Sequence, residues 1–154
     1  MKPASGVSVL ILLGVALGPF AVGYTIARWM SGIWALSPLL WGLVFLVGWF
    51  LVGRYLGRKG FDKVGIVVGI IPPLLGACIF IQQFFLTSSA QRSVGFLSTV
   101  GQLYPMVAVA PATKAMMTLG IREIDSRLAL LLAYALMMGA FAIGFLGGRN
   151  KSGV

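Results

Sequence analysis

Three glutamines and two arginines are the residues of this sequence whose types and positions could hold a ligand. Gln82 and Gln83 lie near the end of an apolar run that starts at 64. Gln102 sits inside a later uncharged run, and Arg28 and Arg92 stand at the ends of neighbouring runs. A primary amide in hydrocarbon is costly unless it is hydrogen-bonded. Gathered at one membrane face, Gln82, Gln83 and Gln102 could satisfy one another, with Arg28 and Arg92 adding positive charge. Such a patch would take a polar or anionic group, such as a lipid headgroup. The competing expectation is a set of interfacial residues that meet only water.

Covalent and metal chemistry finds little to work with. The chain has no histidine, one cysteine (Cys78) and three acids, Asp62, Glu123 and Asp125. All three acids fall in expected loops. A serine or cysteine nucleophile needs a base, and none is at hand inside the expected spans. Metal ligands of the usual kinds are too few for a site, so no metal or other cofactor is expected. Ionisable residues inside a membrane mark proton relays and ion paths, and the expected spans contain none. The expectation is therefore a protein that is not an enzyme. Cys78 reads as a small packing residue.

These residues must be positioned by an unusual chain. It is 154 residues long, 59% hydrophobic and only 10% charged, where a soluble domain carries about 25% charged residues. The mean hydropathy is +1.00. A water-soluble fold of this length could not bury so much apolar surface, which makes an integral membrane protein of one domain the expectation. The net charge of +9 comes from 12 Lys and Arg. These stand between apolar runs, so they read as topology signals, and no nucleic-acid partner is expected.

Charges cut the sequence into five neutral runs. A helix needs about 20 apolar residues to cross a bilayer core, and four runs meet this easily. The expected fold is all-α, a polytopic transmembrane helix bundle with membrane-embedded segments at 6–28, 33–53, 64–87, 94–113 and 128–148. The first resembles a signal peptide, but its length favours an uncleaved helix. The fourth, which includes GQLYPMVAVAP, is the weak one. Pro105 and Pro111 would free the carbonyls of Gly101 and Val107, and such irregularity survives at membrane depth only when covered by protein or lining a wet cavity. Four spans with a re-entrant or interfacial fourth segment is the variant.

Basic residues weigh these alternatives. With four spans, Lys2, Arg54, Arg58, Lys59, Lys63, Arg149 and Lys151 face the cytoplasm, seven against five outside. With five spans, Lys114, Arg122 and Arg127 join the inner side while Arg149 and Lys151 leave it, giving eight against four. The positive-inside rule modestly favours five spans. Both place the N-terminus and the 54–63 loop in the cytoplasm, and the expected location is a bacterial cytoplasmic membrane.

Small residues four apart let helix backbones approach in lipid. Gly14 and Gly18, Gly65 and Gly69, Ala135 and Gly139, and Gly144 and Gly148 form such pairs. They would serve packing within the chain, or a homo-oligomer or partner interface. Pro72 and Pro73 stand inside the third segment and suggest a bend or a hinge. With no chemistry, several small-residue faces and little mass outside the bilayer, the expected role is an accessory or scaffolding subunit, or assembly factor, of a membrane complex. The alternative is a small transporter or channel, homo-oligomeric, with a polar outward-facing pocket.

Overall fold

The computed structural model describes residues 6–29, 38–88, 96–121, 123 and 125–150. Among these the regular elements are all helical: α1 (Gly6–Trp29), α2 (Pro38–Arg58), α3 (Asp62–Ile81) with a π-helical turn (Gln82–Leu86), α4 (Phe96–Leu103), a 3-10 turn (Met106–Ala108), α5 (Val109–Thr118) and α6 (Ser126–Arg149). Four helices, α1, α2, α3 and α6, are long and apolar enough to cross a membrane. Proline opens α2 at the position where its missing N–H costs nothing. Asp125 caps α6, its carboxylate accepting from the Arg127 backbone N–H at 2.8 Å.

Glycines set how the long helices pack. Gly53 and Gly57 of α2 lie against the carbonyls of Phe141 and Phe145 of α6. In return, Gly144 and Gly148 of α6 lie against the carbonyls of Phe50 and Arg54. No Cβ fits at any of the four, so the two backbones touch directly. Residue numbers rise together along this seam, so α2 and α6 run parallel. They form the most extensive helix pair in the molecule.

On α3 the same device receives side chains. Gly65 and Gly69 take the rings of Phe145 and Phe141, and Gly76 takes the Tyr134 hydroxyl. Here the numbers run in opposite directions, so α3 is antiparallel to α6. Phe141, Phe145, Tyr134, Met137 and Leu56 are fully buried at this junction. Gly14, Gly18 and Gly139, in contrast, have nothing within 4 Å of where a Cβ would stand.

The parallel pairing has a topological consequence. The start of α2, the end of α3 and the start of α6 all lie at one end of the bundle, called here the Pro38 end. Arg127 confirms the last two: its guanidinium stands 5.3 Å from the Phe85 ring centroid and donates to the Phe84 carbonyl at 3.5 Å. The chain between α3 and α6 therefore leaves from and returns to the same end.

What lies between is a helical hairpin. Along α4, Gly101 sits beside the Phe80 backbone and the Leu103 carbonyl presses on Gly23 of α1. The chain turns at Tyr104–Pro105. It then passes Gly42 of α2, where Val107 and Pro111 pack, and leaves along α5. Tyr134, which meets this hairpin, is eight residues into α6, about 12 Å from its start. Gly120, at φ +81°, adopts a left-handed turn suited to glycine just after α5.

Beside the expected segments at 6–28, 64–87 and 128–148 stand α1, α3 with its π-helical turn, and α6. The second differs. Its described helix, Pro38–Arg58, continues beyond the expected end at 53; 33–37 lie outside the described residues. Arg54 and Arg58 are thus helical and not in a loop, because their long stems can lie along the helix while the guanidinium reaches the helix end. The α3 helix is unbroken across Pro72 and Pro73; Pro73 is buried and Pro72 half-buried.

Candidate functional site

The hairpin wedges α1 and α2 apart. Two glycines permit the wedge: Gly23 accepts the Leu103 carbonyl against α1, and Gly42 accepts Pro111 and the Val107 carbonyl against α2. A Cβ on Gly42 would stand 2.5 Å from the Pro111 ring and 2.8 Å from that carbonyl. As a result α1 and α2 make no more than glancing contact with one another. Between them lies a cavity of about 990 Å³, with α1 and α2 as walls and the 3-10 turn and α5 as floor.

Helical periodicity explains the walls. Ala21, Val22, Thr25 and Ile26 share one face of α1, and Trp41, Val44 and Phe45 share one face of α2. The lining is overwhelmingly apolar. Thr25 spends its hydroxyl within its own helix, donating to the Ala21 carbonyl at 2.8 Å, as hydroxyls in helices commonly do. Lys114 is the only ionisable residue among the described residues of the lining, and it is exposed. Its level follows from its neighbours. Pro111 packs at Gly42, one turn inside Pro38, and Lys114 lies three residues, or about 4.5 Å, further toward the Pro38 end.

A second, smaller cavity of about 390 Å³ shares Met106, Val109 and Thr113 with the first and extends to α6. Gln102 and Thr113 from the hairpin and Ser126 from α6 supply its polar groups.

The residues singled out from sequence are placed as follows. Gln82 is exposed and Gln83 half-buried on the π-helical turn, while Gln102 is exposed on α4 and lines the smaller cavity. Neither Gln82 nor Gln83 lines that cavity. Arg92 and the side chain of Arg28 lie outside the described residues. Asp125 and Arg127 form an ion pair at 2.8 Å, and Glu123 is exposed. Arg127 holds the Asp125 carboxyl below its ordinary range, chiefly by side-chain hydrogen bonding and further through its backbone N–H. Cys78 is a free, exposed thiol. No cluster of three metal-ligating side chains occurs among the described residues.

Lys114, Gly23 and Gly42 were not singled out as site residues by the sequence. Gly42 has Pro38 and Leu46 four positions away, so the small-residue spacing that marks close helix contacts is missing. Lys114 registered only as the charge that ends a neutral run. Neither a protein-family model, nor a curated protein, nor a solved structure matches this chain.

Proposed function

We propose that this chain is a four-span membrane protein with a re-entrant fourth segment. In this reading it acts without chemistry, through helix packing, as an accessory or scaffolding subunit of a membrane complex. The parallel course of α2 and α6 supports the re-entrant variant over a fifth crossing. The N-terminus, the Arg58–Lys63 connection and the C-terminus would then share the cytoplasmic side. Seven of the 12 basic residues fall there, in the direction of the positive-inside rule.

The observation that carries the functional reading is the outward face of α6. Of the small-residue pairs on α3 and α6, Gly65–Gly69 and Gly144–Gly148 are filled by the chain's own helices. Ala135 and Gly139 are not: Ala135 is exposed, and Gly139 has open space where a Cβ would stand. A small-residue face turned to lipid lets a partner's helix approach closely. Transport has less support, because the cavity between α1 and α2 is apolar along its described lining.

The test is native mass spectrometry of the tagged protein after gentle extraction from its own membrane. A defined hetero-complex is expected, and Gly139→Leu should dissociate it without lowering the thermal stability of the free chain. A bare monomer from wild type, or a complex indifferent to Gly139→Leu, would sink the reading. A homo-oligomer lost in Gly139→Leu would leave the face as an interface and remove the accessory role.

A further inference from the structure

We propose that the crevice between α1 and α2 binds one anionic phospholipid of the surrounding bilayer, with acyl chain against the apolar walls and phosphate at Lys114. The proposal rests on the re-entrant topology above, but not on the partner face of α6.

Access comes first. The hairpin holds α1 and α2 apart, so the crevice lies between two membrane-spanning walls that scarcely touch. A lipid can enter sideways from its own leaflet without crossing protein. Size comes next. The volume of about 990 Å³ lies at the upper end of the roughly 300–1,000 Å³ seen for small-molecule sites.

Depth decides between a lipid and a partner's helix. The cavity runs from the level of Pro38 to Phe45 and Met106, seven residues along α2 or about 10 Å. A spanning helix needs the full hydrocarbon thickness of about 30 Å, which is three times as much. The upper part of one leaflet's acyl chain needs about this depth and no more. The floor formed by the hairpin stops the cavity there.

Charge completes the match. Val22, Val44, Phe45 and Val107 offer a chain only hydrocarbon, while Lys114 stands at the Pro38 end. A lysine whose stem lies along an apolar wall sends its ammonium toward the interface, where lipid phosphates are found. Among the described residues no acid lines the crevice to compete for it.

The experiment uses the purified full-length chain in detergent micelles, read by native mass spectrometry. Phosphatidylglycerol and phosphatidylcholine of identical chains are titrated in parallel. Wild type should favour phosphatidylglycerol about fivefold, the effect expected of one basic residue at a membrane surface. Lys114→Ala should erase that preference and Lys114→Arg should keep it. Val44→Trp, which fills the crevice from an exposed position, should reduce adducts of both lipids. Gly139→Leu should change neither, so failure of the partner face and failure of the lipid site are separable. Equal adducts in wild type, or a preference that survives Lys114→Ala, would overturn the proposal. So would a dimer peak that excludes lipid and disappears in Val44→Trp, since the crevice would then hold a second copy of the chain.

Discussion

The hydroxyl of Tyr134 donates a hydrogen bond to the carbonyl of Gly101 across 2.9 Å, in a buried setting. Gly101 is four residues before Pro105, so its carbonyl is the one that proline leaves without a helical donor. A bare carbonyl at this depth would be costly. The side chain of one long helix thus supplies what the broken segment lacks, and a change of direction inside the bundle becomes tolerable. Tyr104, at the turn itself, stacks on Tyr134 with ring centroids 6.2 Å apart and reaches the Ala16 carbonyl of α1 at 3.5 Å.

Tyr134→Phe should therefore destabilise the protein by about 0.6–2 kcal/mol, the range for a hydrogen bond between membrane helices. Tyr104→Phe should cost less, because its hydroxyl contact is long for an O–H donor. Thermal unfolding in detergent, followed by near-ultraviolet circular dichroism, compares the two. A neutral Tyr134→Phe would show that the hairpin is anchored elsewhere.

The glycine seam predicts a sharp contrast among glycines of similar sequence context. Gly53→Ala and Gly144→Ala force a Cβ into a carbonyl of the facing helix and should each cost about 1–3 kcal/mol, as overpacking does. Gly14→Ala and Gly139→Ala meet open space, and each should be neutral or slightly stabilising, since alanine favours a helix. The same unfolding assay ranks the four. Equal effects at Gly139 and Gly144 would contradict the seam.

The start of α6 should respond to acid. Asp125 titrates below its ordinary value of 3.8 because Arg127 hydrogen-bonds its ionised form. A carboxyl depressed in the folded state contributes stability above its unfolded pKa and loses it as pH falls through the folded value. Amide exchange at Arg127 and Ala129 should thus be slow and constant from about pH 5 to 8 once intrinsic rates are removed, and loosen below about pH 4. Asp125→Asn keeps a capping side chain but cannot titrate, so its profile should stay flat. An identical acid response in Asp125→Asn would assign the effect to another group.

Much of this arrangement is legible from sequence. Neutral runs of sufficient length predict all four long helices. The second helix continues past Gly53 to Arg58, so a charge in the sequence does not mark its end. Arg54 and Arg58 are helical, and Gly57, which falls in the expected 54–63 loop, joins Gly53 in forming half of the main helix contact. The direction of α6 was harder to read. It depends on whether the fourth segment crosses, and basic counts of seven to five and eight to four scarcely separate the cases. Pro105 pointed to the break, yet the partner that makes the break affordable, Tyr134, is 29 residues away and carries no local mark. Gln102 was identified as a residue needing company, but its cavity is formed with Thr113 and Ser126, two residues whose ends of the chain meet only if the hairpin turns back.

The central claim is that the chain from α3 to α6 enters and leaves the membrane on one side. It is tested by labelling single cysteines with a membrane-impermeant maleimide in oriented membranes, in a Cys78→Ala background. Ser88→Cys and Glu123→Cys should label from the same face, and Lys59→Cys and Asn150→Cys only from the opposite one. Labelling of Ser88→Cys and Glu123→Cys from opposite faces would establish a fifth crossing and contradict the account.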